Sequence, residues 1–141
     1  MYGYEQLLLH LIGDYWTQTQ WMANTKVKSW YAAIKHATVY SLLFFIIGSW
    51  QAVLVIWSTH AIIDRFSLAK RGIWLKNWYG NGEWSDLGPT GNPSFKSPSW
   101  KECEKNFGSA SSVPSWISFP VYVACDNTLH LVINYFALKY L

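Results

Sequence analysis

Ser41-Leu42-Leu43-Phe44-Phe45-Ile46-Ile47 runs into Gly48-Ser49 and on through Trp50-Gln51-Ala52-Val53-Leu54-Val55-Ile56-Trp57. From Leu42 to Trp57 the residues are apolar around most of a helix circumference, which marks a helix buried on every side or immersed in lipid. Gly48-Ser49 punctuates the run as a tight turn. The stretch predicts two apolar helices back to back, over about 27–47 and about 50–70. Lys70-Arg71 followed by Gly72 suits the C-terminus of the second.

Working outward, a less hydrophobic helix is predicted over about 4–23, broken by Asn24-Thr25. A last helix is predicted over about 115–140, with Pro114 and Pro120 suited to its first turns. Residues 72–114 are rich in Gly, Pro, Asn, Ser and Trp and lack sustained periodicity, which predicts a long irregular loop with short helical pieces such as Pro98 to Phe107. Helices of about 20 apolar residues match the thickness of a bilayer. The expected fold is all-α, a single four-helix transmembrane bundle over 1–141. A soluble four-helix bundle with a very apolar core is the alternative.

Charged residues make up 13% of the 141 and aromatic residues 18%, with ten tryptophans. Low charge with abundant Trp and Tyr fits a membrane protein with interfacial anchors. Trp16, Trp21, Trp30, Trp50, Trp57 and Trp116 fall near predicted helix ends or lipid faces. The mean hydropathy of +0.05 is low for that class because the polar 72–114 loop depresses it. The net charge of +3 comes with no basic run, so nucleic acid is not an expected partner. Cys103 and Cys125 have neither metal nor disulfide spacing and read as free thiols. The first apolar segment carries His10 and Asp14 and has no basic region before it, so no cleaved signal peptide is expected. Lys26 and Lys28 follow the first helix, and Lys70, Arg71, Lys76, Lys96, Lys101 and Lys105 follow the third. The positive-inside rule then places the 72–114 loop in the cytoplasm and both termini outside. The oligomeric state is open.

Three of the four aspartates lie four residues from a histidine: His10/Asp14, His60/Asp64 and Asp126/His130. That spacing puts both side chains on one helix face, and chance would give only about 0.2 such pairs. The order reverses in the last helix, which runs antiparallel to the first and third, so all three aspartates point to the same side of the bundle. His36 falls at similar depth in the second helix. Counted from the cytoplasmic ends, the seven lie roughly 9 to 22 Å deep at 1.5 Å per residue. His10, Asp14, His36, His60, Asp64, Asp126 and His130 are therefore candidate ligands for one or two divalent ions, of zinc, manganese or iron type.

Asp64 is a ligand or a general base, unless it pairs with Arg65 or Lys70 near the interface. Gln18 continues the first helix face beyond Asp14, where it would bind substrate, orient a water or cap the site. Polar residues that merely tie membrane helices together by hydrogen bonds are the bland alternative.

Leu8-Leu9-His10-Leu11-Ile12-Gly13-Asp14-Tyr15 through Gln18-Thr19 and Trp21-Met22-Ala23, with Lys26, resembles the opening signature of domain-of-unknown-function family 3307. Thr59-His60-Ala61-Ile62-Ile63-Asp64-Arg65 resembles its central motif, and Asp126-Asn127-x-x-His130 its final one, with Asn127 where the family usually has Gln. The resemblance reaches most of the chain outside 72–114. It implies a small integral membrane protein of bacteria or phages, in the bacterial inner membrane or an infected host's membrane, with no established activity. The His/Asp pattern is more loosely similar to membrane-bound metal-dependent hydrolases.

The leading expectation is a metal-dependent hydrolase acting on a membrane or lipid-linked phosphoester, in contact with membrane lipid. The alternatives are a non-catalytic membrane interaction protein whose cluster only fixes helix packing, and an ion or proton transporter.

Overall fold

Ser49 reverses the apolar run. Its hydroxyl accepts from the Ala52 N–H at 3.2 Å, capping a helix, and donates to the Leu141 carbonyl at 3.0 Å. A side-chain oxygen at this position satisfies one of the donors left open at a helix start. The computed structural model describes residues 3–79, 83–85, 94–96 and 98–141. The middle of the expected 72–114 loop, including the side chains of Trp84 and Lys96, lies outside the described residues.

Seven α-helices are described: α1 (Gly3–Leu11), α2 (Gln20–Thr25), α3 (Trp30–Leu42), α4 (Trp50–Phe66), α5 (Leu68–Tyr79), α6 (Trp100–Cys103) and α7 (Ser115–Tyr140). A short antiparallel pair, β1 (Glu83–Ser85) and β2 (Ser94–Lys96), sets Trp84 opposite Phe95. The all-α expectation holds for every element that builds a core. Among the described residues, no single helix is long and apolar enough to cross a membrane, and α4 and α5 meet that standard only as a broken pair.

The chain divides into two compact units, residues Met1–Ser67 with Asn127–Leu141, and Leu68–Asp126. The first is built on the α3/α4 hairpin. Its core joins Tyr40, Phe44, Ala52, Val53 and Ile56 to Leu9 of α1 and to Ala137 and Leu138 of α7.

The expected first helix is two. α1 continues as a π-helical turn, Ile12–Trp16, and stops; Thr19 then caps α2, its hydroxyl accepting from the Met22 N–H at 3.3 Å. Gly13 makes that approach possible, since a Cβ there would lie 2.4 Å from the Tyr40 ring. α4 ends at Ser67, whose φ of 47° is left-handed, and the helix resumes as α5 through Gly72 to Tyr79. Gly72 is thus an ordinary helical residue, and Ser67 supplies the break that Gly72 was expected to give.

In the second unit, Asn106 organises the approach to α7. Its amide donates to the Ala110 and Val113 carbonyls, both at 2.7 Å, and its oxygen accepts from Ser118 at 2.7 Å. Lys70 lies over the rings of Phe107 and Tyr122, and the Trp74 indole donates to the Pro98 carbonyl at 3.0 Å. Gly108, at φ 87°, packs where a Cβ would meet the Lys70 carbonyl at 2.3 Å.

Candidate metal centre

Four elements of the first unit aim polar side chains at one point. The π turn contributes Asp14, α3 His36, α4 His60 and Asp64, and α7 His130. A π turn widens the helix by one residue and re-aims its side chains. Here it keeps Asp14 beside His10, with Nδ1 and Oδ2 3.6 Å apart, while turning the other carboxylate oxygen onto α3 and α4.

His36 Nε2 is the focus. Within 3.4 Å stand His60 Nε2 (3.0 Å), Gln18 Nε2 (3.0 Å), Asp14 Oδ1 (3.2 Å) and Asp64 Oδ2 (3.4 Å). His60 Nε2 lies 3.3 Å from Asp64 Oδ2 and 3.5 Å from Asp14 Oδ1. The His36 and His60 side chains are at most 1% exposed, Asp64 2% and Asp14 11%. One ring nitrogen offers either a single N–H or a single lone pair. It cannot satisfy four neighbours. Asp14 Oδ1 and Asp64 Oδ2 are in fact left without a hydrogen bond, as are the far ring nitrogens of His36 and His60. Desolvated carboxylate oxygens without partners cost several kcal/mol each.

A cation removes the conflict. Asp14, His36 and His60 form one group of donor atoms able to share an ion, and His60, Asp64 and His130 form a second. Four-coordinate zinc with bonds of about 2.0–2.1 Å sets its ligand atoms about 3.3–3.4 Å apart. The 3.0, 3.2 and 3.5 Å edges of the Asp14/His36/His60 triangle match that spacing.

Charge points the same way. Asp64 Oδ1 meets Lys26 Nζ at 3.0 Å, so two buried carboxylates face one ammonium and a net negative charge remains. One divalent ion converts this to a single positive charge.

Of the seven expected ligands, Asp14, His36, His60, Asp64 and His130 converge in these two groups, and Asp126 belongs to neither. His10 is buried but otherwise engaged. Asn127 Oδ1 can only accept, so His10 Nε2 donates to it at 3.2 Å. His10 Nδ1 then accepts from the Tyr40 hydroxyl at 2.8 Å, and that hydroxyl accepts from Asn134 Nδ2 at 2.7 Å. Both ring nitrogens are committed, and His10 orients the helices around the centre. Asn127 also donates to the Tyr15 hydroxyl at 3.0 Å, a role open to a shorter amide as well as to Gln.

Asp64 pairs with Lys26, while Arg65 turns away to the Val27 carbonyl and stacks over Trp30 and Phe66. The Gln18 amide stands at His36 Nε2. Two participants carried no signal in sequence spacing. Lys26 reaches Asp64 from 38 residues away, and Tyr40 lies flat on His60 with ring centroids 3.8 Å apart.

No curated protein and no solved structure matches the chain, and the looser likeness to membrane-bound metal-dependent hydrolases finds no support. A family model described as a protein of unknown function matches residues 4–79, which hold Asp14, Gln18, Lys26, His36, His60 and Asp64. That match covers more than half of the 141 residues, and the chain belongs to the family DUF3307.

Proposed function

We propose that this chain is an integral membrane metalloprotein whose four main helical stretches cross the bilayer and enclose one divalent ion. The membrane part of the reading rests on an inverted distribution of side chains. His10, His36, His60, Asp64, His130 and Asn134 are buried, while Leu8, Trp16, Ile46, Leu54, Trp116 and Phe136 are more than half exposed. Water would penalise large apolar patches on this scale, and lipid would not. The continuous helical stretch 30–46 and helix α4 each have 17 residues, or about 26 Å at 1.5 Å per residue. That falls slightly short of a bilayer core of about 30 Å, a mismatch that local thinning accommodates.

The chemistry we infer is hydrolysis of a phosphoester in a membrane lipid or lipid-linked substrate. A single observation carries it: buried Nε2 atoms of His36 and His60 3.0 Å apart, flanked by carboxylate oxygens that lack hydrogen bonds. A metal held there would lower the pKa of a bound water and polarise the scissile group. Asp14, His36 and His60 would hold the ion. Asp64, clamped by Lys26, keeps one oxygen toward the centre as ligand or base. Phosphate release from phosphatidate in mixed micelles tests the reading, with and without zinc, for wild type and His60→Ala. Zinc-dependent release that disappears in His60→Ala supports it, and no release from the zinc-loaded wild type removes the hydrolase reading.

A non-catalytic interaction role remains as the second reading. It is favoured by the Asn134–Tyr40–His10–Asn127 chain, in which polar groups tie α1, α3 and α7 together.

A further inference from the structure

Lys26 and Gln18 are placed to receive a ligand rather than to hold a metal. Lys26 follows α2 and is 15% exposed; with Asp14, at 11%, it is the least buried charged group of the cluster. One oxygen of Asp64 takes the ammonium at 3.0 Å, and the other faces His36 and His60 at 3.4 and 3.3 Å. A single carboxylate therefore separates the lysine charge from the donors that would hold an ion. Gln18 Nε2 donates to His36 Nε2 at 3.0 Å. An ion that takes the His36 lone pair releases that amide N–H, leaving a donor without a partner at the rim of the centre.

The charge count then asks for an anion. Asp14 and Asp64 against Lys26 and a divalent ion leave one positive charge, and an uncompensated buried charge is expensive. Hydroxide alone would balance the charge but would leave the freed amide and the remaining ammonium hydrogens unused. A phosphate-type oxyanion would have oxygens enough to meet the ion, Lys26 and Gln18 together. Lysine commonly holds phosphate as a point charge in this manner.

From this we infer that the metal-loaded centre binds a phosphate-type oxyanion, with the Lys26 ammonium and the Gln18 amide as its protein donors. The inference rests on the metal reading above and names the groups that bind the phosphate part of a ligand at the same site. The Asp64 carboxylate is the shared element: it ties Lys26 to the ion, so anion and metal bind cooperatively.

The test is calorimetric titration of inorganic phosphate into the full chain in phospholipid-free detergent, zinc-loaded and metal-free, with Lys26→Met and Lys26→Arg in parallel. Zinc content is measured on every sample. Phosphate is expected to bind the zinc-loaded wild type at least about tenfold more tightly than the metal-free protein. Lys26→Met is expected to keep its zinc and lose phosphate at least about tenfold, with partial recovery in Lys26→Arg. Zinc-loaded wild type that binds phosphate no better than the metal-free protein overturns the inference and leaves the metal reading standing. The same holds for Lys26→Met that retains both zinc and full phosphate affinity. A wild type that takes up no zinc overturns both. Phosphatidate in phosphatidylcholine nanodiscs separates the sources. Displacement of bound phosphate by phosphatidate assigns the anion to a lipid headgroup, lack of displacement assigns it to a soluble phosphate, and either result supports the inference.

Discussion

His10 and His36 are chemically identical and equally buried, yet they do different work because of what surrounds their nitrogens. His10 has one donor and one acceptor, each with a partner at hydrogen-bond distance. His36 presents Nε2 to four neighbours that it cannot satisfy. Tyr40→Phe should therefore weaken the fold without touching the metal. It strips partners from His10 Nδ1 and Asn134 Nδ2, at a cost of about 1–3 kcal/mol. The check is a lower thermal midpoint in detergent with unchanged zinc content. Acid should act on the centre itself. Imidazole ligates a metal only when neutral, so protons and metal compete for the same lone pairs and zinc affinity falls as acid is added. Zinc retention after equilibrium dialysis at successively lower pH measures this, and retention that persists until the fold itself is lost would exclude histidine ligation.

At the scale of elements, the sequence was legible where periodicity was long and punctuation strong. α7 runs over the expected 115–140 because Pro114 bars an earlier start and apolar residues continue to the end. The turn between α3 and α4 falls at Gly48-Ser49, where a glycine and a capping serine coincide. The break between α1 and α2 was not legible. Thr17-Gln18-Thr19 is mild in composition, and tertiary packing of Gly13 on Tyr40 selects the π turn there. Nor was the continuation past Gly72, since an exposed glycine is tolerated inside a helix and Ser67 accepts the left-handed position in its place. The packing argument has a direct consequence. Gly13→Ala puts a methyl against the Tyr40 ring and should cost about 1–3 kcal/mol through overpacking. Because the same turn aims Asp14, that variant should also bind zinc more weakly, which titration of the folded fraction would register. An unaltered zinc affinity would mean that the π turn does not position Asp14.

For the whole molecule, the i, i+4 pairs pointed to the cluster only in part: His60/Asp64 brings both of its members, while His10/Asp14 and Asp126/His130 bring one each. What spacing could not reveal is which way each ring faces, and so His10 reads as a ligand in sequence and as a brace in structure. It was equally blind to Lys26, whose contact with Asp64, 38 residues away, exists only in the folded chain. Trp16, Trp50 and Trp116 are exposed while these polar groups are buried. All of it depends on a cation being at home among Asp14, His36 and His60. The most direct measurement is the zinc-to-protein ratio of the full chain purified in detergent, with the isosteric Asp14→Asn beside it. A single buried ion predicts about one zinc per wild-type chain and a clear loss of zinc in Asp14→Asn. A folded wild-type chain that takes up no zinc, manganese or iron would contradict it.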